Sequence, residues 1–301
     1  EIMTYVITGA TGHVGRQVAE ALLREGKSTR VVGRSKERLQ PLIDLGAEAF
    51  VGTLDDSDFL ARAFGGAQGV FAMIPPNGQV QDFRAFQNRV GTALATALKA
   101  AKVARVVSLS SQGAHLPAGT GPIAGLYDQE QRLNQMEAIH VVHLRPTFFM
   151  ENLLMSVDLI RSQGINGSPL QADLAFPVIA TTDIAAAAAA HLSGLEFTGQ
   201  MVHDLLGERD LSMQEMTRIL GTAIGKPDLP YVQFSYDDAR KAMLAMGLSA
   251  DVARLYVEMY QAINGGLFTR ATVRTPANTT RTSFETFAAE FARLYAAKHG
   301  G

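Results

Sequence analysis

The sequence predicts an α/β protein in which a doubly wound parallel sheet is followed by a smaller C-terminal region. Up to about residue 154, short apolar runs alternate with amphipathic stretches, as strands alternate with crossover helices. The first apolar run ends in a glycine-rich turn that opens a helix. Because the alternation thins out later, we expect a first domain over residues 3–154 and a smaller cap over 155–301, with segments at about 176–206 returning to the main sheet.

Bulk composition argues against several classes of protein. The 301 residues are 47% hydrophobic, which allows a sizeable core, and the net charge of −2 gives no case for direct nucleic-acid binding. The absence of cysteine excludes disulfides, cysteine nucleophiles and cysteine metal sites. Because neither a signal peptide nor an apolar stretch of membrane-spanning length is visible, we expect a cytoplasmic protein without a membrane partner.

The turn after the first apolar run carries the strongest functional signal. Tyr5–Ile7 is a predicted strand, and apolar residues every four positions indicate the helix that follows the turn. Gly9 permits the sharp turn, Gly12 leaves room for a pyrophosphate, and Gly15 lets the helix lie close to the strand. Strand, glycine turn and helix together predict a dinucleotide site at the positive end of the helix. The expected contacts are Gly9, Thr11, Gly12, His13, Val14 and Gly15.

Two segments resemble a known family. The run Thr-Gly-Ala-Thr-Gly at residues 8–12, with glycines three apart, resembles the extended and atypical short-chain dehydrogenases, and most of all their NmrA-like group. The run Arg-Pro-Thr-Phe-Phe-Met-Glu-Asn at residues 145–152 resembles the family segment beside the nicotinamide. The resemblance implies a Rossmann-like NAD(P)-binding fold. It also implies cofactor contacts from Arg145, Pro146, Thr147 and Phe148.

The end of the second predicted strand, at residues 29–32, selects the cofactor in this architecture. A carboxylate there would bind the adenosine ribose and repel a 2′-phosphate, and residues 27–36 contain none. Arg34 can instead fork onto a phosphate, and Ser35 can donate a hydrogen bond to it. The NmrA-like family has an arginine at this place. We therefore expect NADP(H) to be preferred over NAD(H). Lys36 or Arg38 could add charge for the phosphate, although each by itself is more typical of a solvated charge on a surface helix.

The third and fourth strands are predicted at residues 47–51 and 69–74. Ligands of open parallel sheets lie beyond the carboxyl ends of the strands, so the residues there should border the cofactor. The family usually has an acid after the third strand, whereas this chain has Thr53, so only backbone contacts are implied there. Met73 fits the core equally well. The candidates at these two ends are Thr53, Leu54, Met73, Ile74 and Pro75.

The fifth predicted strand, residues 103–111, ends in two serines. This ending resembles the strand that carries the catalytic serine or threonine of short-chain dehydrogenases, so Ser110 and Ser111 are candidates to hydrogen-bond a substrate carbonyl. For at least one of them, a polar strand end is the simpler interpretation. Ser110 is also an expected cofactor neighbour.

The acid–base pair of short-chain dehydrogenases is incomplete. Tyr127 lies in a suitable predicted helix, residues 126–136, but Gln131 stands four residues on, where a lysine would lower the tyrosine pKa. Leu126 occupies the place where many NmrA-like proteins have a lysine, and none occurs between Lys102 and Lys226. Tyr127 therefore remains a candidate proton donor or a residue that only packs its ring.

The later segments complete the predicted element list. The loop Gln112–Pro122 is long enough to cover a substrate, and its His115 is a proton donor or, more simply, a surface histidine. Thr182 or Asp183 is expected to cap an alanine-rich helix, and Ser212 with Glu215 forms a capping box. The other predicted strands are 139–144, 176–180 and 201–206, and the other predicted helices are 39–45, 83–101, 237–246, 250–264 and 284–297.

Metal and hydrolase chemistry find no support in the motifs. His140 and His143 are three apart on a predicted strand and so point to opposite faces, which does not make a metal pair. There is no His-Glu-x-x-His and no Gly-x-Ser-x-Gly sequence. We expect no metal site.

Three functions are compatible with these residues. The first is hydride transfer from NADPH to a small electron-poor acceptor such as a quinone, which needs little acid help. The second is a non-catalytic NADP(H) redox sensor that acts through a protein partner, which the missing lysine favours. The third is an epimerase or lyase, which is weaker because such members normally keep the Tyr–Lys pair. The oligomeric state stays open.

Overall fold

The computed structural model describes residues 3–268 and 272–297. The strands are β1 Thr4–Ile7, β2 Ser28–Gly33, β3 Glu48–Val51, β4 Ala67–Ala72, β5 Arg105–Leu109, β6 His140–Pro146, β7 Phe148–Phe149, β8 Asn166–Ser168, β9 Phe176–Ile179, β10 Gln200–Leu205, β11 Asp210–Leu211 and β12 Tyr231–Gln233. The α-helices are α1 His13–Arg24, α2 Lys36–Asp44, α3 Ser57–Phe64, α4 Phe83–Ala100, α5 Ala124–Asn134, α6 Val157–Gln163, α7 Thr181–Gly194, α8 Met213–Ala223, α9 Tyr236–Ala245, α10 Ala250–Asn264 and α11 Phe284–Ala297. Short 3-10 helices cover Gly121–Ile123 and Met150–Ser156.

Seven strands form the main sheet in the order β10-β6-β5-β4-β1-β2-β3. Every neighbouring pair is parallel, and the chain reverses its direction of winding between β1 and β4. This is the predicted doubly wound α/β fold. A sheet of this kind opens a crevice at the switch point, beyond the carboxyl ends of its strands.

The first helix lies against the sheet through the face that its spacing predicted. Val14, Val18 and Leu22 are buried, and Ala19 completes the face. They share one hydrophobic core with small alanines of α7, such as Ala188. The small alanines of α7 let the two helices pack closely.

Two predicted strands end earlier than the apolar pattern suggested. β4 ends at Ala72 and β5 at Leu109, so Met73 and Ser110 follow the strands. Ladder-like bonds nevertheless continue beyond β5, where the Ser110 N–H donates to the Leu144 carbonyl at 2.8 Å. Polar residues at strand ends therefore sit on a sheet edge that is still held in register.

The two strands of the segment near residues 176–206 belong to different sheets. β10 joins the main sheet as the parallel neighbour of β6, as predicted. β9 does not return to that sheet; it pairs with β7 and β11 in a separate three-stranded sheet. A second core lies against that smaller sheet, with Phe176, Phe284 and Phe291 among its fully buried side chains. The division of the chain at residue 154 remains a prediction.

The start of α7 corrects the predicted cap. Neither Thr182 nor Asp183 caps the helix; instead the Glu151 carboxylate accepts the Thr181 N–H at 2.9 and 3.0 Å and the Thr181 hydroxyl at 2.6 Å. Gln17 of α1 donates to that same hydroxyl at 3.0 Å. A carboxylate from a distant segment thus satisfies the free N–H of the helix start.

Asp183 holds the C-terminal part of the chain to α7. Its carboxylate accepts the N–H of Thr282 at 3.0 Å and the hydroxyl of the same residue at 2.6 Å. The capping box of Ser212 and Glu215 is present as predicted. No helix of the described residues has the length and apolar character to cross a membrane.

Candidate functional site

The glycine turn lies between β1 and α1 at the switch point of the sheet. Gly9 has a φ of +64°, which favours glycine. A Cβ on Gly15 would lie 2.4 Å from the Gly9 carbonyl oxygen, so the helix can approach the turn only without a side chain there. A Cβ on Gly12 would meet nothing closer than the same oxygen at 3.4 Å. Gly12 is therefore exposed, and a side chain there would meet no clash with the protein.

The start of α1 is open to an anion. Gly12 is the N-cap and no side chain caps the helix, so its first N–H groups are not satisfied by a capping group. The helix dipole places positive potential at the same point. The absence of a carboxylate in the first turn leaves that potential uncompensated. An exposed glycine beside an uncapped helix N-terminus is the kind of arrangement at which proteins bind phosphate groups.

Thr8 fixes the end of β4 beside this turn. Its hydroxyl donates to the Phe71 carbonyl at 3.0 Å and accepts the Met73 N–H at 3.1 Å. The Met73 thioether then packs on Gly9, because a Cβ there would come within 2.5 Å of the sulfur. Met73 therefore forms a wall of the turn, with the half-buried Ile74 and Pro75 after it.

The end of β2 presents one free cation. Arg34 is exposed and has no hydrogen bond or ion pair with any residue that the structure describes. Ser35 is committed to the start of α2, where its hydroxyl accepts the Arg38 N–H at 3.3 Å and donates to the Glu37 carboxylate at 2.6 Å. That bond from Ser35 lowers the pKa of Glu37. A phosphate contact from Ser35 would therefore compete with its capping role.

Arg38 lies closer to the turn than its sequence suggested. Its guanidinium donates to the Thr11 carbonyl at 3.2 Å, so it spans from α2 to the glycine turn. Gly52 at the end of β3 donates its N–H to the Gly33 carbonyl at 3.0 Å, which draws the exposed Thr53 to the same edge. Leu54 is half-buried against the core beneath. The sequence leaves Arg38 open as an added phosphate charge or a solvated charge, because nothing in it indicates the bond to Thr11.

A buried ion pair lies below the ends of β5 and β6. Arg145 donates to both carboxylate oxygens of Glu130, at 2.9 and 2.5 Å, and Ser110 donates its hydroxyl proton to the same carboxylate at 2.5 Å. Glu130 is 2% exposed. Its hydrogen bonds raise the pKa of the Arg145 guanidinium. Since the Ser110 proton is given to Glu130, this hydroxyl has no second proton for a substrate carbonyl.

Two histidines and one carboxylate, His143, His115 and Asp204, lie around the ion pair. His143 is buried, with Nε2 2.9 Å from the Asn134 side-chain oxygen, and burial lowers its pKa. Burial also raises the pKa of the half-buried Asp204, although the nearby Arg145 opposes this. His115, the loop histidine, is exposed and within electrostatic reach of Asp204. The cluster is thus a low-dielectric region in which one arginine faces two carboxylates.

The segment after β6 turns toward the cap. Pro146 is buried, and the Thr147 N–H donates to the Leu205 carbonyl at 3.1 Å. The Thr147 hydroxyl is buried and has no partner among the described residues. Phe148 packs edge-on against Phe176 with 5.6 Å between ring centroids. This segment joins the main sheet to the second core.

A model of the NmrA-like family matches residues 3–288. The chain belongs to the NmrA-like family. It is 29% identical to an NAD(P)H azoreductase of Xenophilus azovorans over 295 residues, which are 98% of this chain and 99% of that protein. The NADPH-dependent quinone oxidoreductase of Escherichia coli, solved with NADPH, has a TM-score of 0.78 and 23% identity, covering 96% of this chain and 99% of that one. The triphenylmethane reductase of Citrobacter sp. has a TM-score of 0.78 and 18% identity, over 97% and 99%. The three proteins named here are reductases, and the two solved structures share the Rossmann-like fold of this NmrA-like chain.

The predicted catalytic residues of this NmrA-like protein are not joined to one another. Tyr127 is half-buried and its hydroxyl makes no hydrogen bond within residues 3–268 and 272–297, while Gln131 is exposed. The Ser111 hydroxyl donates to the Gln112 carbonyl at 3.0 Å. Sequence reasoning missed Glu130, since an acidic residue in a helix is normally exposed and only its position opposite Arg145 marks it as buried.

Metal ligation has no geometric basis in the described ranges. No group of three or more histidine, cysteine, aspartate or glutamate side chains there is arranged to hold an ion. His140 accepts the Gly199 N–H at 2.9 Å, whereas His143 bonds to Asn134. The two histidines of β6 thus have separate partners, Gly199 for His140 and Asn134 for His143.

Proposed function

We propose that this protein is an NADPH-dependent reductase that transfers hydride to a small electron-poor acceptor, such as a quinone or an azo compound. The observation that carries the proposal is the glycine turn, where Gly12 faces open space beside an uncapped helix N-terminus. The azoreductase relative, similar over nearly the whole chain, supports the reaction class. The preference for NADPH rests on Arg34, a free cation at the end of β2.

In this proposal, the residues of the cofactor site have three roles. The N–H groups at the start of α1 bind the pyrophosphate, with Gly9, Thr11, His13, Val14 and Gly15 shaping the turn. Arg34 binds the 2′-phosphate as a fork, with Arg38 adding positive charge beside Thr11. The remaining contacts orient the nicotinamide end and exclude water; they are Met73, Ile74, Pro75, Ser110, Arg145, Pro146, Thr147 and Phe148.

The buried ion pair acts by positioning. Arg145 and Ser110 both bond to Glu130, so in this proposal they hold the ends of β5 and β6 and contact the cofactor through their backbone. When bound, NADPH supplies the hydride. The chain contributes orientation and a dry pocket, which is sufficient for acceptors whose reduced form is a weak base.

The proton of the product comes from water in this mechanism. Tyr127 has no lysine four residues on, and the residue there, Gln131, points to solvent. No cation stands four residues on to assist proton transfer from the phenol, so an acid role for Tyr127 is a minor one. Acceptors that need a strong acid, such as simple ketones, are expected to be poor substrates.

A non-catalytic NADP(H) sensor is the second candidate. The same missing lysine favours it, because a sensor needs the nucleotide site and no proton donor. A sensor would bind NADPH tightly and pass the change to a protein partner. The proposal of a reductase predicts turnover, so the two candidates differ in a single measurement.

The test is a titration with NADPH and NADH followed by NADPH oxidation in the presence of quinones and azo dyes. We expect tight NADPH binding, weaker NADH binding and turnover with at least one quinone. Tight binding without turnover across the panel would favour the sensor. Failure to bind either nucleotide would contradict both candidates.

A further inference from the structure

Gln112 carries a buried amide that nothing in the described structure satisfies. The residue is 5% exposed, and its side-chain nitrogen has no hydrogen-bond partner. Buried polar groups in folded proteins nearly always have partners, because an unpaired donor loses its water without replacement. An orphan donor at this place therefore indicates a missing ligand atom or a trapped water.

The register places this amide directly above the buried ion pair. The Ser110 N–H donates to the Leu144 carbonyl at 2.8 Å, and the Gln112 N–H donates to the Pro146 carbonyl at 2.9 Å. Alternate residues of an extended strand share a face. Gln112 therefore shares the face of Ser110, one step nearer the carboxyl edge of the sheet.

The neighbouring strand carries a second orphan at the same level. Thr147 is two residues beyond Arg145, and its buried hydroxyl also has no partner in the described chain. Glu130, Arg145 and Ser110 satisfy one another below. The ion-pair layer is thus complete, while the layer above it holds a buried unpaired amide and a buried unpaired hydroxyl. This layer lies toward the carboxyl edge of the sheet, beyond which ligands of parallel sheets bind.

We propose that Gln112 is a catalytic residue, whose amide N–H donates to the acceptor oxygen that becomes negative as hydride arrives. This rests on the proposed reductase function. Thr147 stays with the nicotinamide end of the site, because its segment is the one assigned to the cofactor. A quinone that receives a hydride becomes the hydroquinone monoanion, the nicotinamide ring is left oxidised, and one proton from water completes the hydroquinone.

A neutral amide suits this chain better than an acid does. Gln112 cannot release a proton, so it stabilises the oxyanion without needing a lysine to tune it. A preorganised donor in a dry site acts most strongly on charge that develops during the reaction. The acceptor should then carry an oxygen next to the reducible system, which gives quinones an advantage over acceptors without oxygen.

The experiment compares Gln112→Leu with the wild type, and Tyr5→Phe is the matched control. Tyr5 is fully buried in β1 and its hydroxyl likewise lacks a partner, but it belongs to no part of the site. With 2-methyl-1,4-naphthoquinone, Gln112→Leu should lose about 100-fold in kcat, as enzymes do when one such donor is removed. NADPH affinity and Tm should not fall. Tyr5→Phe should leave kcat unchanged.

A second readout does not depend on turnover. Calorimetry of 1-naphthol, a phenolic mimic of the product, should show binding to the NADP⁺-saturated wild type and about tenfold weaker binding to Gln112→Leu. Unchanged kcat and naphthol affinity in the variant would overturn the catalytic role. So would a fall in Tm that accompanies the loss of activity, since the amide would then be a structural group held by water. A wild type that binds NADPH but neither reduces the quinone nor binds naphthol would overturn the reductase and the role of Gln112 together.

Discussion

Arg145 binds both carboxylate oxygens of Glu130, at 2.9 and 2.5 Å, in a pair that is almost completely buried. Glu130→Gln would leave the arginine charge without its partner in a low-dielectric site. We expect the free energy of unfolding in urea to fall by about 3–5 kcal/mol.

The control for that change is Glu48→Gln. Glu48 pairs with Arg30 at 2.8 Å, but its side chain is 62% exposed. Loss of this exposed pair should cost less than about 1 kcal/mol. Equal effects of the two substitutions would contradict the structural role assigned to Glu130.

Two glycines of the turn, Gly15 and Gly12, should respond differently to alanine. At Gly15 the new Cβ would lie 2.4 Å from the Gly9 carbonyl oxygen, which should cost about 1–3 kcal/mol of stability. At Gly12 the backbone angles, φ −93° and ψ 172°, suit any residue and the space is open. Gly12→Ala should therefore keep its Tm but lose nucleotide affinity, measured by calorimetry. A stable Gly12→Ala variant with wild-type affinity would remove the pyrophosphate from this place.

Cofactor choice should depend on Arg34. Arg34→Ala should weaken NADPH binding by about 10–100-fold, the value of a charge-assisted hydrogen bond, and change NADH binding little. Arg38→Ala should give a smaller NADPH loss with some loss of NADH, because its bond to Thr11 also supports the turn. Lys36→Ala, a neighbouring exposed cation, is the matched control. Equal losses for both nucleotides in Arg34→Ala would exclude the 2′-phosphate contact.

Stability should decrease in mild acid. Burial lowers the pKa of His143, and burial together with His203 lowers the pKa of His191. The unfolded chain therefore takes up protons below about pH 6.5 that the folded chain refuses, so stability is full above that pH and is lost as pH falls. The loss per histidine is at most about 1.4 kcal/mol for each pH unit.

His143→Gln should flatten part of this dependence between pH 7 and 5 in urea titrations. Glutamine is neutral and can keep the hydrogen bond that His143 makes to Asn134. The same change at His140, on the same strand but less buried, is the control. A variant as acid-sensitive as the wild type would show that His143 is protonated in the fold.

The doubly wound sheet and the glycine turn were predictable because both are indicated by local patterns. Apolar runs of strand length, helical spacing and three glycines act within a few residues of one another. The capping box at Ser212 and the helix Phe284–Ala297 were predictable for the same reason. The ends of two strands were predicted less accurately: the apolar run of β4 continues past its last residue, and β5 ends before the two serines that were assigned to it.

The features that sequence reasoning missed all depend on partners far along the chain. Glu130 looks like a surface acid until Arg145 is placed opposite it. Asp183 looks like a helix cap in the sequence. The carboxylate that accepts the Thr181 N–H is instead that of Glu151, 30 residues earlier in the chain. β9 looks like a strand of the main sheet in the sequence. Its partners are instead two strands of two residues each, which are too short to show a pattern in the sequence. Each error is a tertiary contact that overrides a local preference.

The bonds at the start of α7 tie the C-terminal region to the first domain. Thr181 is bonded to Gln17 and to Glu151, while Asp183 holds Thr282 within the C-terminal region. A rotation of residues 155–301 against the first domain would have to break both bonds of Thr181. We therefore expect acceptors to enter and leave by breathing of the exposed loop at residues 117–119, so that residence time is governed by a few loop residues and not by closure of two halves.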